Sequence, residues 1–428
     1  MRESTLTGSN VAPEAGPRIA ADWLHSPALR AVFAALANSG LETRVVGGAV
    51  RNALLDLPVG DIDLATQILP NDVMRLAAAA GLGAHPTGID HGTITVVSGG
   101  MPFEVTTLRR DVETDGRRAV VAFTHDWAED ARRRDFTINA LSCDADGRVF
   151  DPVGGLSDLR AGHVRFICDA DERIREDYLR ILRFFRFTAL YGRGAPDASG
   201  LAACAALKPG LAQLSAERIG SEMMKLLAAP RAGAIIQEMA ASGILDAVLG
   251  FSGQPEHLQR LAAIETALGE PPDPMTRAAV LAISDGHNAD ALALRWRLSG
   301  ATRDALKAAA LPHARSEPGL DPAGSEAAAR GLIYRVGIEN FKRATRAAWA
   351  RSGEAGHDPA WRAKCLLADH WRPPQMPFSG SDVLALGVPA GPRVGVILKA
   401  FEAWWVGQNF PADPAVQHAM LRELARQT

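Results

Sequence analysis

The sequence predicts an α+β chain in which a mixed α/β domain is followed by an all-helical remainder. Up to about residue 155, short β-rich runs such as TRVVGG and GTITVVSGG alternate with helical segments. After residue 156 the β-branched runs disappear, and alanine, leucine and arginine recur with helical spacing. The chain has 428 residues, of which 47% are hydrophobic and 22% charged, as expected for a globular protein of several domains.

The N-terminal segment and the composition exclude several classes of protein. Residues 1–20 lack the basic-then-apolar order of a secretory signal, so we expect a disordered segment and a cytoplasmic protein. No uninterrupted apolar run of about 18 residues occurs, which excludes a membrane-spanning helix. The four cysteines are widely spaced, without a CxxC pair, which argues against a disulfide framework or a structural zinc site. The formal net charge of −3 conceals a basic stretch at 160–193. A polyanion would therefore bind to this local patch and not to the molecule's overall charge.

The first element of interest is a strand that ends in two glycines and opens a helix. In VVGGAVRN, Gly47 and Gly48 form the turn and Arg51 lies on the first helical turn. Backbone N–H groups at such a turn can hold a phosphate, and a guanidinium adds a second contact. The run is neither a Walker loop nor a Rossmann fingerprint. A glycine pair alone is more often structural, so a functional role for the turn depends on the residues of the next strand.

The next strand predicts a pair of metal-binding carboxylates. In GDIDLAT, Asp61 and Asp63 should point to one side of a strand while Ile62 enters the core. Two carboxylates so close repel each other, and hard oxygen ligands of this kind favour Mg²⁺ together with water and substrate phosphates. A solvent-facing pair on an edge strand is the alternative for an isolated DxD.

A third carboxylate lies further along the chain in the strand PFEVTT. Glu104 alternates with Phe103 and Val105 and therefore shares a face with Thr106. If this strand lies beside the DxD strand, three carboxylates converge, as two-metal nucleotidyl transfer requires. The alternative is an exposed glutamate at the edge of a sheet.

The order of these motifs resembles that of the class II tRNA nucleotidyltransferase and poly(A) polymerase family. The resemblance covers roughly residues 40–230, and its successive segments are GGAVRN with GDIDLAT, HGTITV, FEVTTLRRDVETDGRRAVVAF, DWAEDARRRDFTINAL, FDPVGGLSDLRAG and RIREDYLRILRFFRF. It implies a polymerase beta-like nucleotidyltransferase head with a mixed sheet, followed by an all-helical neck, body and tail. With breaks placed at Gly and Pro clusters, the expected division is a disordered 1–20, a catalytic head 21–155, a neck 156–230 with nucleotide-selecting and RNA-binding helices, a body 231–320 and a tRNA-binding tail 321–428.

The resemblance assigns roles to the residues already named. Asp61 and Asp63 match the metal-binding aspartates, and Glu104 matches the third acid. The turn residues Gly47, Gly48 and Arg51 match the triphosphate-binding turn. The family usually has Asp after this Arg, whereas this chain has Asn52, which puts the usual ion pair in doubt but leaves the metal ligands intact.

The segment RRDFTINA resembles the ribose and phosphate motif of the family. Its matching residues are Arg133, Arg134, Asp135 and Asn139. An Asp or Asn that accepts from a 2′-hydroxyl would select ribonucleotides. A helix-capping cluster is the alternative interpretation.

The segment REDYLRILRFFRF predicts one amphipathic helix. At 100° per residue, Glu176, Arg180 and Arg183 lie near a common line with Asp177 beside it, and the opposite stripe is buried and comprises Tyr178, Ile181, Leu182 and Phe185. Such charged faces are usually solvated. The resemblance instead implies a nucleotide template, in which Asp177 accepts from the exocyclic amine of C or A and Arg180 donates to the adjacent ring acceptor. Uracil and guanine would then be rejected, because they present a carbonyl to the carboxylate.

A charged hairpin between Leu108 and Phe123 resembles the family's flexible loop. Arg109 and Asp111 are its candidate basic and acidic working residues. In the family this loop is used in the switch from C to A addition, so the resemblance favours complete CCA addition. A mobile hairpin without this role is the alternative.

These motifs together imply a CCA tRNA nucleotidyltransferase that adds or repairs the 3′-terminal CCA from CTP and ATP without a nucleic-acid template. The expected cofactor is Mg²⁺, and the expected partner is tRNA, through its 3′ end and acceptor stem. A poly(A) polymerase, an enzyme that adds only part of CCA, and a non-catalytic RNA-binding module are the alternatives. The sequence carries no prediction of oligomeric state.

Overall fold

A computed structural model describes residues 16–115, 118–283, 288–310 and 317–427, with the backbone alone between 111 and 121. The chain divides into two compact units, the first ending at Leu214 and the second beginning at Ser215. The predicted head and most of the predicted neck fall within the first unit. The body and tail fall within the second.

The chain between residues 16 and 20 is ordered, so the prediction of disorder is wrong for these five residues. The amide of Ile19 donates to the carbonyl of Gly147 (2.8 Å), and the carbonyl of Pro17 accepts from the amide of Val149 (3.0 Å). Ile19 is buried. Burial of its apolar side chain, together with these two hydrogen bonds, holds the segment in place, and the sequence alone did not indicate either contact. Residues 1–15 of the predicted segment lie outside the described residues.

The first unit alternates strands with helices and then becomes helical, as predicted. Its elements, besides short 3₁₀ turns, are α1 (Pro27–Ala37), β1 (Thr43–Val46), α2 (Gly48–Leu54), β2 (Asp63–Thr66), α3 (Pro70–Ala79), β3 (Gly83–Gly88), β4 (Thr93–Ser98), β5 (Met101–Thr107), β6 (Arg109–Asp115), β7 (Arg118–Phe123), α4 (Trp127–Arg132), β8 (Ser142–Cys143), β9 (Val149–Phe150), α5 (Gly155–Ala161), α6 (Ala170–Glu176), α7 (Leu179–Tyr191) and α8 (Ala198–Leu207).

Seven strands form one mixed sheet in the order β3-β4-β5-β2-β1-β8-β9. The pair β2 and β5 is parallel, and the other neighbours are antiparallel. Alternation places Val45, Leu64 and Val105 on one face, and all three are fully buried. This face packs against α1 and α3, which leaves the opposite face of β2 and β5 available for polar side chains.

The predicted charged hairpin forms a separate two-stranded sheet. Strands β6 and β7 pair antiparallel, with a shift in register between Asp111 and Glu113. Gly116, at the turn of the predicted loop, lies outside the described residues. The hairpin leaves the main sheet directly after β5, so it begins next to the strand that carries Glu104.

An aromatic cluster joins the RRDFTINA segment to helix α7. Phe136 packs against Phe166 and Phe187, with ring centroids 4.9 and 5.3 Å apart, and Phe166 stacks on Phe184 (5.5 Å). Phe136 and Phe184 are fully buried. Aromatic rings bury much apolar area, so this cluster holds the polar residues on both segments in fixed positions.

The second unit is helical throughout its described residues. Its helices are α9 (Ala216–Leu227), α10 (Ala232–Ala241), α11 (Ile244–Leu249), α12 (Pro255–Leu268), α13 (Pro274–Ala282), α14 (Asn288–Arg295), α15 (Gly300–Ala309), α16 (Glu326–Val336), α17 (Ile338–Ser352), α18 (Pro359–His370), α19 (Gly380–Ala385), α20 (Pro392–Gly407) and α21 (Pro414–Gln427). Its last helices enclose an apolar cluster that includes Ile397, Phe401 and Trp405. In the part of the chain that is described, no helix has the length and apolar character needed to cross a bilayer.

Candidate active site

The sheet register brings the glycine turn and two acidic residues together. Asp63, the first residue of β2, lies opposite Val46 of β1 on one side and opposite Glu104 of β5 on the other. Residues directly opposite in a sheet project to the same face. Asp63 and Glu104 therefore share the face that does not pack on α1 and α3, and Gly47 comes directly after Val46. The expected adjacency of the Glu104 strand and the DxD strand is confirmed.

The DxD segment differs from its predicted geometry. Strand β2 begins only at Asp63, so Asp61 and Ile62 precede it in irregular backbone. Ile62 is half-buried rather than in the core. The prediction that both aspartates alternate within one strand was wrong: β1 ends at Val46, opposite Asp63, so β1 offers no pairing partner to Asp61 or Ile62.

The carboxylates of Asp61, Asp63 and Glu104 nevertheless lie close enough to interact electrostatically. The pKa of Asp63 is raised, first by burial and then by the negative charges of Glu104 and Asp61, while Arg134 opposes the shift. Like charges that raise a pKa indicate a site that a cation would stabilise. No three His, Cys, Asp or Glu side chains of the described chain form a closed metal-binding group. Mg²⁺ is typically bound by one or two carboxylates, with water and phosphates as its other ligands, so an open pair with a third acid fits it.

The glycine turn leaves room that a side chain would fill. Gly47 has φ of 69°, a left-handed conformation that favours glycine. A Cβ there would lie 3.5 Å from Nη1 of Arg134 and 3.6 Å from the carbonyl of Asn139. Helix α2 begins at Gly48. The turn therefore brings open backbone next to a guanidinium, as phosphate binding requires.

Arg51 is buried, and all the hydrogen bonds that it makes to described residues end on neutral oxygen atoms. Its Nε and Nη2 donate to Oδ1 of Asn52 (3.2 and 2.9 Å), and Nη2 also donates to the hydroxyl of Tyr191 (2.7 Å). Nη1 donates to Oδ1 of Asn139. Burial lowers the pKa of Arg51, and the nearby Tyr191 and Asp135 oppose this. Tyr191 was missed by the sequence analysis.

Asp130 holds the two arginines of the RRDFTINA segment. Its Oδ1 accepts from Nε of Arg133 (2.9 Å), and its Oδ2 accepts from Nη2 of Arg134 (3.1 Å). Burial raises the pKa of Asp130, but Arg133 and Arg134 outweigh it and hold the pKa below its ordinary value. Asp130 is not among the residues predicted from the sequence, although its spacing of three and four residues from the two arginines is the spacing of neighbours on a helix.

Asp135 links the same segment to α7. Its Oδ2 accepts from Nε and Nη2 of Arg183 (2.7 and 2.5 Å), and its Oδ1 accepts from Nδ2 of Asn139 (3.0 Å). Burial raises the pKa of Asp135, but the Arg183 guanidinium and the hydrogen bonds from Asn139 and the Phe136 amide lower it overall. These contacts make Asp135 the centre of a rigid polar network within the aromatic cluster.

The single predicted helix over 175–187 is wrong, because the chain breaks at Asp177. Helix α6 ends at Glu176, Asp177 is extended (φ −156°, ψ 107°), and α7 begins at Leu179. Oδ1 of Asp177 accepts from the amide of Leu179 (3.1 Å), the first residue of α7, and so satisfies one of the N–H groups that the start of a helix leaves without a partner. The predicted stripe is buried at Ile181, Leu182 and Phe185, but Tyr178 is only half-buried.

Glu176, predicted to bind nucleotide, instead holds the side chain of Arg180. Its Oε2 accepts from Nη1 of Arg180 (2.5 Å), and it also pairs with Arg173. Arg180 donates further to the carbonyls of Arg173 (2.9 Å) and Arg133 (3.1 Å). These three contacts preorganise the Arg180 guanidinium, and they join α6, α7 and the RRDFTINA segment.

One cavity of about 420 Å³ collects most of the predicted nucleotide-binding residues. Its walls comprise Val46, Gly47, Gly48, Arg51, Asp63, Arg133, Arg134, Asp135, Asn139, Asp177, Arg180, Arg183 and Phe187. Asp61 and Glu104 are outside this lining, and both are exposed beside Asp63. The arrangement sets an open acidic edge against a strongly basic cavity, as transfer of a nucleoside triphosphate requires.

A larger cavity of about 930 Å³ adjoins the first and shares Val46 and Arg134 with it. Trp127 and Phe150 also line it, with Arg44 stacked between their rings. None of the three acids Asp61, Asp63 and Glu104 belongs to its walls. The smaller cavity is therefore the candidate active site, because Asp63 and most of the predicted nucleotide-binding residues line it.

The two predicted residues of the charged hairpin lie apart from the cavity lining. Arg109 begins β6, its amide donates to Oδ1 of Asp130 (3.2 Å), and its Nη1 donates to the carbonyl of His91. Asp111 lies in β6, and the structure describes only its backbone, opposite Val121. Through Asp130, the start of the hairpin shares a hydrogen-bond partner with Arg133 and Arg134.

Family models match the chain in both units. A model described as "Poly A polymerase head domain" matches residues 43–165, which include every strand and all three acids. A second, described as "Probable RNA and SrmB- binding site of polymerase A", matches residues 197–258. The first match covers the three acids and the cavity residues up to Asn139, whereas Asp177, Arg180, Arg183 and Phe187 lie beyond it.

Similar proteins extend over nearly the whole chain. The mouse (Mus musculus) protein named CCA tRNA nucleotidyltransferase 1, mitochondrial, is 33% identical over 89% of this chain and 87% of its own. The CCA-adding enzyme of Streptococcus sanguinis is 31% identical over 90% of this chain and 94% of its own. The crystal structure of the Bacillus stearothermophilus CCA-adding enzyme in complex with CTP superposes with a TM-score of 0.73 at 29% identity, over 92% of this chain and 96% of that one.

Proposed function

Because the chain belongs to the CCA-adding family of tRNA nucleotidyltransferases, we propose that it adds or repairs the 3′-terminal CCA of tRNA from CTP and ATP. In this reaction the 3′-hydroxyl of the RNA attacks the α-phosphate, a phosphodiester bond forms and pyrophosphate leaves. The observation that carries the proposal is the register that sets Asp63 between Val46 and Glu104, at the mouth of a basic cavity.

Nucleotidyltransferases of this family generally use a divalent metal, and we propose Mg²⁺ here. Asp61 and Asp63 would hold it, and the raised pKa of Asp63, caused by burial and by Glu104 and Asp61, supports this assignment. When bound, the cation supplies charge neutralisation for the triphosphate and a lower pKa for the attacking hydroxyl. Glu104 would position or deprotonate that hydroxyl.

The other residues of the cavity would bind the triphosphate, the ribose and the base. Arg51, Arg134 and the Gly47 turn would cradle the triphosphate, since they meet at one side of the cavity. Asp135 and Asn139 would face the ribose. Asp177 and Arg180 would read the base, which the extended backbone at Asp177 and the fixed contacts of Arg180 support.

The test is primer extension on a tRNA transcript that lacks its 3′ CCA, with CTP and ATP singly and together and sequenced product ends. Stopping after C-C-A supports the proposal. A long A tract would identify a poly(A) polymerase instead, and stopping at C-C would identify a partial activity.

A pair of variants tests the site itself. Asp63→Asn should lower the rate of incorporation at least about 100-fold, because a metal ligand and its charge are lost. Asp72→Asn, on α3 and half-exposed, is the matched control and should keep the wild-type rate. Equal rates for the two variants would contradict the assignment.

We further propose that the helical second unit, which contains the predicted body and tail, contributes to tRNA binding. The family model for an RNA-binding segment reaches residue 258 and supports this. A cytoplasmic location stays a prediction, which cell fractionation tests.

A further inference from the structure

The environment of Arg51 departs from a carboxylate-based pair. Asn52 comes directly after this arginine, so no negative charge stands at position 52. No ion pair to Arg51 occurs among the described residues within salt-bridge distance. The four hydrogen bonds that its guanidinium makes to described residues all end on amide or hydroxyl oxygens.

Tyr191 provides one of these acceptors from the far end of α7. Its hydroxyl accepts from Nη2 of Arg51 (2.7 Å) and lies 3.3 Å from Oδ1 of Asn52, to which it donates. The guanidinium carbon of Arg51 also lies 4.1 Å from the centroid of the Tyr191 ring. One side chain thus holds Arg51 by a hydrogen bond and by a cation–π contact.

Asn52 completes the arrangement in a way that a carboxylate would not. Its Nδ2 donates to the carbonyl of Pro58 (2.9 Å) while its Oδ1 faces Arg51. An aspartate would put an acceptor against that carbonyl and lose the bond. The amide therefore ties α2 to the loop that leads to Asp61, while Tyr191 and Asn139 provide the other hydrogen bonds to the guanidinium.

We propose that the hydroxyl of Tyr191 and the neutral amide of Asn52 together hold Arg51 without a carboxylate, and that Tyr191 is a positioning residue which orients Arg51 for the triphosphate. The inference rests on the proposed function, because it assumes that the cavity binds a nucleoside triphosphate. It predicts a specific energetic coupling between positions 52 and 191, since a carboxylate at 52 makes the hydroxyl redundant.

The experiment is a double-mutant cycle on the full chain, read by equilibrium binding of CTP and of cytidine without tRNA. Tyr191→Phe keeps the ring and removes the hydroxyl. We expect it to weaken CTP binding about tenfold, as loss of a hydrogen bond to a charged group does. In the Asn52→Asp background the same change should weaken CTP binding less than about twofold. Cytidine binding should be unchanged in all four proteins, because it has no phosphate.

Tyr334→Phe is the matched control. That tyrosine lies in the second unit and donates to Glu402 (2.8 Å), so its loss of a hydroxyl should leave CTP binding unchanged. Thermal melting of each variant establishes that the fold is kept.

The outcomes separate the two hypotheses. If wild-type protein binds CTP and Tyr191→Phe binds it equally well, or weakens it by the same factor in both backgrounds, the positioning role is wrong and the proposed function stands. An equal loss of cytidine binding would likewise overturn it, because the effect would then be on the base side. If the wild-type protein binds no CTP, the proposed function fails, and the positioning role fails with it.

Discussion

Arginine side chains of the nucleotide cavity differ in the charge of the groups that hold them. Arg133 and Arg134 are held by Asp130, and Arg183 by Asp135, whereas Arg51 is held by neutral atoms. A guanidinium paired with a carboxylate is oriented but partly neutralised, and one held by neutral atoms keeps its charge for an anion. The cavity thus combines fixed recognition groups with a cation whose charge is directed to substrate.

Arg180 should decide nucleotide choice more than catalysis. Because its contacts to Glu176 and two carbonyls hold the guanidinium in place, Arg180→Ala should reduce the preference for CTP and ATP over UTP by about 10-fold or more, as loss of a bidentate base contact does. Incorporation of each nucleotide in single-turnover assays measures this. Exposed Arg175, at the end of α6, gives the control variant Arg175→Ala. Undiminished selectivity in Arg180→Ala would refute the template role.

Asp135 should contribute stability that depends on pH in one direction. Its pKa is lowered in the folded state, since Arg183 and its hydrogen bonds outweigh burial. Its contribution is therefore complete above the unfolded pKa of about 3.9 and is lost as the pH falls through the folded pKa. Asp135→Asn should lower the free energy of unfolding by about 2 kcal/mol at pH 7.

Urea unfolding at several pH values checks the prediction for Asp135. The difference between wild type and Asp135→Asn should shrink as the pH falls below about 4. A difference that stays constant down to a pH of about 3 would show that the contribution does not come from the carboxylate charge.

At the scale of elements, the break between α6 and α7 is what turns a helix face into a recognition site. Extended backbone at Asp177 directs the chain out of the helix, and its side chain then accepts from the amide of Leu179, the first residue of α7. Gly210, in the 3₁₀ turn after α8, packs against the ring of Tyr178, which lies between α6 and α7. A Cβ at Gly210 would lie 2.0 Å from the ring of Tyr178, so only glycine lets the ring occupy its place.

Gly210→Ala should therefore disturb the break without touching the cavity. The Tyr178 ring must shift, which should cost about 1–3 kcal/mol of stability and raise the KM for CTP through Asp177. Chemical denaturation and steady-state kinetics measure both effects. Gly300→Ala, with nothing within 4 Å of the added Cβ, is the control. Wild-type behaviour of Gly210→Ala would mean that the ring position is irrelevant to the break.

The sequence predicted the elements whose pattern is local and missed contacts that the fold makes over distance. Alternation around Glu104 and the run before Gly47 sufficed to place two strands and the acidic edge. Periodicity failed at Asp177, because Glu176 and Arg180 keep helical spacing and contact each other across a break. Tyr191 carried no signal near Arg51, since only the packing of α7 brings its hydroxyl there.

On the scale of the whole molecule, each unit has its own buried charge network, and that of the second unit serves stability. Arg277 is almost fully buried and donates to Oε2 of Glu265 (2.9 and 2.7 Å). It also donates to the carbonyls of Leu227 (2.8 Å) and Ala229 (2.7 Å). One side chain thus closes the end of α9 and joins α12 to α13.

Arg277→Ala should lower the free energy of unfolding of the second unit by about 3 kcal/mol, because it leaves a charged Glu265 buried. Six of the eight tryptophans, all except Trp23 and Trp127, lie in that unit, so tryptophan fluorescence during urea unfolding reports on it. Arg303→Ala, which removes an exposed arginine of α15, should have no effect.

Protonation of Glu265 should reduce the loss of stability in the Arg277→Ala variant. Burial already raises the pKa of Glu265 while Arg277 opposes it, and removal of Arg277 raises this pKa further. For an acid whose folded pKa exceeds its unfolded value, stability increases as the pH falls. The deficit should be smaller at a pH of about 5 than at about 8, and an equal deficit would contradict burial of the charge as its cause.

The parallel pairing of β2 with β5 also has a consequence for biosynthesis. β1 and β2 are successive strands and can pair as soon as both have left the ribosome, but β2 can pair with β5 only after α3, β3, β4 and β5 have been translated. Until then the backbone N–H and C=O groups on that edge of β2 have no strand partner and are open to wrong pairing. A nascent chain that stalls before β5 would be a substrate for chaperones, and the acidic edge can form only after that point.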